Sequence, residues 1–284
     1  MRLGNSRRSQ NVEDRRGRRM HIGGRGKIGI GTVILALVAA YFGIDPSLVL
    51  QGSGSGSAPS SYQTGTPPAA TPESEFASKV LADTEDTWES IFQSQGLGSY
   101  QRPILVLFND VTPTACGTGQ SAMGPFYCPA DQRIYLDLGF FRELSVTLDS
   151  PGDFAQAYVI AHEVAHHVQN LIGVMDQVNQ LRRRADQRAA NQLSVRVELQ
   201  ADCLAGVWAH HSHSQRNTLE PGDIEEGLNA ASAIGDDRLQ RQSQGHVVPD
   251  SFTHGSSAQR VRWFTNGLRS GDPARCDTFS QTNL

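Results

Sequence analysis

The stretch VIAHEVAHHVQN, from Val159 to Asn170, decides how the rest of this chain is interpreted. It places three histidines and one glutamate inside an apolar segment that favours a helix. His162 and His166 are four positions apart, so a helix would bring both imidazoles onto one face, about 6 Å apart along its axis. That arrangement suits two ligands of a tetrahedral zinc ion.

The glutamate beside the first histidine adds a chemical role to this spacing. Glu163 would face the adjacent side of the helix, within reach of a metal-bound water. The pattern H-E-x-x-H is the signature of zinc peptidases, in which the glutamate is the general base. The preceding residues 154–161, FAQAYVIA, are mostly apolar, as a helix anchored in a core requires. The alternative is a histidine-rich core helix that binds no metal.

A catalytic zinc ion needs a third protein ligand. Residues 195–211, VRVELQADCLAGVWAHH, predict a second long helix that carries Glu198 and Asp202 four positions apart. We predict Glu198 as the third ligand and Asp202 as the acceptor for the second ring N–H of a zinc-bound histidine. A pair of surface acids is the alternative, but the residues around them are apolar.

The extended metzincin pattern is excluded. It requires a glycine three residues and a histidine six residues after the second histidine of the motif, where this chain has Gln169 and Ile172. A zinc peptidase with a glutamate ligand remains.

Other polar residues could assist the reaction. His254 could donate a hydrogen bond to the oxyanion of the tetrahedral intermediate, a role that zinc peptidases often give to His, Tyr or Arg. A histidine that precedes a helix start is an equal alternative for this residue. Arg260 could take the same role or pair with Asp202, and His167 is predicted to be structural because it lies off the metal face.

The charge of the chain is unevenly distributed. The total of −4 combines about +7 in residues 1–27 with about −11 in the rest. The basic head is expected to meet something anionic, and the acidic body is not expected to bind nucleic acid.

An apolar run of 17 residues, 28–44, follows the basic head and predicts a transmembrane anchor. The positive-inside rule then places residues 1–27 in the cytoplasm and the later residues outside it. A cleaved signal peptide is the alternative. Residues 45–75 are rich in Gly, Ser, Pro and Thr and predict a flexible linker.

The remaining residues, 76–284, predict one α+β domain with an active-site helix and a ligand helix. The order is a helix, then strands, then further helices. Residues 133–138, RIYLDL, could form the edge strand on which an extended substrate aligns. The predicted helices cover residues 76–92, 153–172, 193–211 and 221–232, and the predicted strands cover 102–108 and 133–141.

Several motifs in order resemble the bacterial putative neutral zinc metallopeptidase family. They are NVEDRRG, FGIDPS, AHEVAHHVQN, RVELQADCLAGVWA and FTHGSSAQRVRWF. The resemblance implies a zincin-like fold and a zinc-dependent peptidase whose substrates are poorly defined. On matching positions it implies His162, His166 and Glu198 as zinc ligands and Glu163 as catalytic acid and base.

The four cysteines fit no zinc-finger or zinc-ribbon spacing. They allow three pairings, and in an oxidising compartment we hypothesise Cys116–Cys128 and Cys203–Cys276.

The sequence therefore predicts a single-pass, membrane-anchored zinc endopeptidase with an extracytoplasmic catalytic domain that acts on a protein or peptide. A tethered, non-catalytic zincin-like module that binds a partner and holds zinc structurally is the alternative. The intact Glu163 argues against that module, because a structural zinc site needs no carboxylate there. The sequence leaves substrate specificity and oligomeric state open.

Overall fold

A computed structural model of the chain describes residues 1–17, 68–281 and 284. The predicted anchor, 28–44, and most of the predicted linker, 45–75, lie outside these residues. Among the helices that the structure describes, none combines the length and the apolar character that crossing a membrane requires.

Eight helices form most of the described part of the chain, and the mixed α+β class is confirmed. All four predicted helices are present, and the first and the third extend further at both ends than predicted. The first begins at the capping residue Thr71 and ends at Gly96 in the left-handed region. The helices are α1 (Pro72–Gln95), α2 (Gly139–Val146), α3 (Asp153–Leu171), α4 (Val174–Arg182), α5 (Gln187–Arg216), α6 (Asp223–Ala233), α7 (Asp236–Gln244) and α8 (Ser257–Ser270).

Within the described residues, six short strands form two sheets. The main sheet has the order β1-β2-β6-β5, in which β5 is antiparallel to β6 and the other pairs are parallel. Strands β3 and β4 form a separate hairpin. The strands are β1 (Val12–Asp14), β2 (Ile104–Phe108), β3 (Val111–Thr114), β4 (Gly117–Gln120), β5 (Phe126–Cys128) and β6 (Arg133–Asp137). Residues of the predicted basic head thus contribute a strand to the sheet of the domain.

Strand β6 is an inner strand, so the prediction that residues 133–138 form the sheet edge is wrong. It pairs with β2 on one side and β5 on the other. Its alternating pattern reflects two different apolar faces: Ile134 and Leu136 join the main core, while Tyr135 packs in a smaller cluster on the opposite face. The edge strand on this side is β5.

The main core lies between the sheet and the helices, with α3 at its centre and α5 packed against it. Helix α8 approaches α5 closely because both helices carry a glycine at the contact. A Cβ atom at Gly206 would lie 2.1 Å from the carbonyl oxygen of Phe264, and one at Gly267 would lie 1.8 Å from that of Cys203. These contacts fix α5, which carries the predicted carboxylate ligand.

Both predicted disulfides are confirmed. Cys116–Cys128 joins the β3–β4 hairpin to the edge strand β5, and Cys203–Cys276 joins α5 to the C-terminal turn. The second bridge begins one residue after Asp202, so it restrains the segment of α5 that faces the histidines of α3.

Candidate metal centre

The structure brings His162, His166 and Glu198 together at the interface between α3 and α5. Atoms that could act as ligands, one from each residue, all lie within 4.8 Å of one another. His162 Nε2 is 3.1 Å from Glu198 Oε2, and His166 Nε2 is 3.6 Å from Glu198 Oε1. The two imidazoles are largely buried, at 5% and 9% exposure, so little water competes for this position.

The geometry of these three residues fits a zinc ion. Ligands on a tetrahedral zinc with bonds of about 2.1 Å lie about 3.4 Å apart, and the two measured separations lie on either side of that value. Two imidazole nitrogens and one carboxylate oxygen are also the donor set of catalytic zinc sites with an open fourth position. The donor set and its spacing therefore suit zinc.

An ionic network supports His162 from behind. Its Nδ1 lies 2.9 Å from Asp202 Oδ1, which leaves Nε2 for the metal position. Asp202 is fully buried and accepts two hydrogen bonds of 2.9 Å from the guanidinium of Arg260, which is 2% exposed. The hydroxyl of Tyr158 also donates to Asp202. Asp202 therefore lies at hydrogen-bonding distance from the second ring nitrogen of His162, and Arg260 pairs with Asp202, the second of the two roles considered for it.

The charges of this network favour a positive charge on the histidine side. Burial raises the pKa of Asp202, but Arg260 and His162 outweigh it and hold that pKa below its usual range. Burial opposes protonation of His162, yet the hydrogen bonds to Asp202 and Glu198 raise its pKa to about 10. Burial likewise raises the pKa of Glu198, and the two imidazoles outweigh it and lower the pKa strongly. The negative charge of the two carboxylates can be balanced either by a proton on a histidine or by a metal cation.

A neutral amide network supports His166. Its Nδ1 lies 2.8 Å from Gln169 Oε1, three residues later on the same helix. The amide group of Gln169 donates to the carbonyl of Val197 at 2.8 Å and to Gln200 Oε1 at 3.0 Å, both on α5. In the sequence, Gln169 serves only to exclude the metzincin pattern, and this supporting role is not predicted. The i, i+3 spacing from His166 was the available signal.

Glu163 lies next to the first histidine and is 7% exposed. Burial raises the pKa of its carboxyl, against the opposing effect of the imidazoles of His166 and His162. A buried carboxyl with a raised pKa can accept a proton and release it again.

His254 lies in the loop before α8, beside the ligand helix. A Cβ atom on the next residue, Gly255, would lie 3.2 Å from the side chain of Leu199. His254 Nδ1 is 3.2 Å from Asp236 Oδ1, and its side chain is 52% exposed. Desolvation opposes protonation of His254, but Asp236 and the nearby Glu198 carboxylate outweigh it and raise the pKa of the imidazole.

Asp236, which sequence analysis missed, fixes this loop. Its Oδ2 accepts hydrogen bonds of 2.7, 2.7 and 3.0 Å from the backbone N–H groups of Thr253, His254 and Gly255. No local pattern connects Asp236 with a loop 17 residues later, so the sequence offered no signal for it. His254 does not cap α8, because the N-cap residue of that helix is Ser256.

His167 faces away from the metal ligands, as predicted. It is fully buried, and its Nδ1 lies 3.0 Å from the hydroxyl of Tyr127 on the edge strand. Its Nε2 contacts the carbonyl of Gln101. This histidine therefore joins α3 to the sheet.

Comparison with known proteins gives consistent results. The family model described as putative neutral zinc metallopeptidase matches residues 1–279. The Escherichia coli K12 protein named "Uncharacterized protein YpfJ" is 52% identical over 293 residues, covering 99% of this chain and 100% of that protein. "Uncharacterized protein Rv2575" of Mycobacterium tuberculosis H37Rv is 48% identical over 198 residues, covering 66% of each chain.

No solved structure matches the chain significantly. The family match, however, spans almost the whole sequence, including both helices of the candidate metal centre. The chain belongs to the putative neutral zinc metallopeptidase family.

Proposed function

We propose that this protein is a zinc-dependent endopeptidase. The observation that carries the proposal is the cluster of His162, His166 and Glu198 at ligand spacing. Glu163 is the neighbour of His162 in the chain and interacts electrostatically with all three residues. A bound zinc ion would supply a Lewis acid that polarises the scissile carbonyl and makes water more acidic. The two histidines and Glu198 would hold that ion.

Glu163 is the proposed general base and acid. It accepts a proton from the attacking water and then passes it to the leaving amine, which requires a carboxyl that can hold the proton between the two steps. The burial that raises the pKa of Glu163 supports this function, because an ordinary exposed carboxyl would hold the proton less well.

His254 is the proposed hydrogen-bond donor to the oxyanion. Its pairing with Asp236 raises its pKa and so favours the protonated imidazole, which is the form that donates from both ring nitrogens. Asp236 also holds the backbone of the loop, so it positions the imidazole beside α5. A preorganised donor of this kind stabilises negative charge as it develops.

The edge strand β5 is the proposed alignment site for an extended peptide. It pairs with β6 on one side, and within the described residues no strand pairs with the other. Its residue Tyr127 contacts His167 of α3, so this edge of the sheet runs beside the helix that carries His162 and His166. Backbone pairing with β5 would bind substrates without strong side-chain selection.

The proposed location of the domain is extracytoplasmic. The two disulfides support an oxidising compartment, since such bonds rarely persist in the cytoplasm. Membrane attachment through the apolar residues 28–44 is part of the proposal and rests on the sequence, but not as a single pass, which would place residues 1–17 and the domain on opposite sides of the membrane.

The test is cleavage of a peptide library by the purified full chain and by Glu163→Gln. We expect chelator-sensitive cleavage by the wild type and a loss of at least about 100-fold in the variant, which should keep its zinc because Glu163 is not a ligand. An active, zinc-loaded variant would refute the role of Glu163. A zinc-loaded wild type that cleaves nothing in the library would favour the non-catalytic binding module instead.

A further inference from the structure

Residues 1–17, the N-terminal arm, run along α1 and end in the main sheet. We infer that this arm is an integral part of the domain, so that the arm and residues 68–281 lie on the same side of any membrane that the protein meets. From the sequence, residues 1–27 are predicted in the cytoplasm and residues 76–284 outside it. The contacts of the arm oppose that separation.

The first contact is backbone pairing with the sheet. Strand β1 pairs in parallel with β2, with Val12 opposite Leu105. Backbone hydrogen bonds flank this pairing on both sides. The N–H of Leu105 donates to the carbonyl oxygen of Asn11 at 2.8 Å, and the N–H of Arg15 donates to the carbonyl oxygen of Leu107 at 2.7 Å. The arm therefore completes one edge of the main sheet, where β2 would otherwise expose its own backbone groups.

The second contact is polar and buried. Glu85 on α1 is fully buried, and its carboxylate accepts hydrogen bonds from three residues of the arm. Ser9 Oγ donates at 2.6 Å, Asn11 Nδ2 at 2.7 Å and Arg7 Nη2 at 2.8 Å. Without the arm this carboxylate would keep only Arg102, whose Nη1 lies 3.8 Å away, and a buried charge with so few partners is strongly unfavourable. The fold of α1 thus depends on the arm.

The third contact is apolar. Met1 and Leu3 are 9% and 4% exposed and belong to the main hydrophobic core. The backbone N–H between them, that of Arg2, donates to the carbonyl of Thr218 at 2.7 Å, in the connection between α5 and α6. Both ends of the arm are therefore anchored.

The basic character of the arm is accounted for by ion pairs. All five arginines of the arm pair with carboxylates. The pairs are Arg2 with Glu220, Arg7 with Glu85 and Asp86, Arg8 with Glu75, Arg15 with Glu13, and Arg16 with Asp14.

The end of the arm also lies close to the residues just before α1. Arg16 Nη1 is 3.4 Å from Thr71 Oγ1, and Arg16 Nη2 is 3.5 Å from the carbonyl oxygen of Ala69. The hydrocarbon core of a bilayer is about 30 Å thick. Two points in hydrogen-bond contact cannot lie on opposite sides of it.

Cysteine labelling in cells tests the shared side. Gln10→Cys lies in the arm and Gln95→Cys at the end of α1, both at exposed positions. Each full-length variant is treated with a membrane-impermeant maleimide on intact spheroplasts and after lysis, with the unmodified chain as background. We expect both positions to react under the same condition. Reaction of one in intact spheroplasts and of the other only after lysis would overturn the inference.

Thermal unfolding of the purified full chain tests the docking. Arg7 contacts the buried Glu85, whereas its neighbour Arg8 contacts only the partly exposed Glu75, so Arg8→Glu is the matched control. We expect Arg7→Glu to lower Tm by about 5 °C or more and Arg8→Glu to lower it by about 1 °C or less. Equal effects of the two reversals would show that the arm is not docked on α1.

Discussion

His162 and His166 stand one turn apart on the same helix, yet the protein supports them in different ways. Behind His162 lies a fully buried ionic network of Asp202 and Arg260. Behind His166 lies a neutral amide, Gln169, tied to α5 by two hydrogen bonds. Both supports leave Nε2 of the histidine facing Glu198.

The difference shows that a single metal centre can combine two kinds of support. The ionic network increases the basicity of His162 and fixes its orientation, but each of its charges depends on the other, because an unpaired buried charge is costly. The amide network fixes the orientation of His166 without any charge. The two supports should therefore respond very differently to substitution.

The largest effect is expected for Asp202→Asn. The variant keeps the shape of the side chain but leaves the buried guanidinium of Arg260 unpaired, so the free energy of unfolding should fall by about 3–5 kcal/mol. Zinc affinity should fall by about 100-fold, at the upper end of what supporting residues contribute. Chemical denaturation and competitive zinc titration measure the two quantities.

The double variant Asp202→Asn with Arg260→Gln separates charge balance from ligand orientation. Removing both charges should restore much of the unfolding free energy, since no buried charge remains. Zinc affinity should stay low, because His162 still lacks its carboxylate. If affinity recovers together with stability, the network is structural and does not position the ligand.

A smaller effect is expected for Gln169→Ala. The loss of neutral hydrogen bonds should lower the free energy of unfolding by about 1 kcal/mol and zinc affinity by about 10-fold. Gln187→Ala, at an exposed position on α5, is the control for the amide substitution. Losses in Gln169→Ala as large as those in Asp202→Asn would remove the contrast between the two supports.

The local spacing of α3 and α5 made much of this site predictable. The i, i+4 pairs on each helix identified the two histidines, Glu198 and Asp202, because helical periodicity is a local property. Arg260 and Asp236 act across 58 and 18 residues of sequence, and only the packing of α7 and α8 brings them to the site. The sequence gives Arg260 only as one of two possibilities, and no local pattern identifies Asp236.

In the fold, too, local features were predictable from the sequence and long-range pairings were not. The long amphipathic helices followed from periodicity, whereas β1 did not. Its residues, Val12 to Asp14, are few and mostly charged, and they become a strand only because β2 offers backbone groups and Arg133 pairs with Glu13. The inner position of β6 likewise depends on pairing between separate segments, because β2 and β5 cover both of its sides.

The smallest effect concerns the pair of His254 and Asp236, because the histidine is half exposed. The raised pKa of His254 means that the pair stabilises the fold fully below pH of about 6.5, the unfolded value, and loses this contribution as pH rises through the raised pKa. The lowered pKa of Asp236 removes the contribution again at strongly acidic pH. Tm of the wild type should therefore exceed that of His254→Asn near pH 5.5, and the gap should narrow towards pH 9. A gap independent of pH would contradict this pairing.

The central claim is that His162, His166 and Glu198 jointly hold one zinc ion. The most direct test is crystallography of the zinc-loaded protein with anomalous diffraction at the zinc edge. We predict one strong peak about 2.0–2.2 Å from Nε2 of both histidines and from a carboxylate oxygen of Glu198. A fully zinc-loaded protein without a peak between these three residues, or with its peak at another site, would contradict the account.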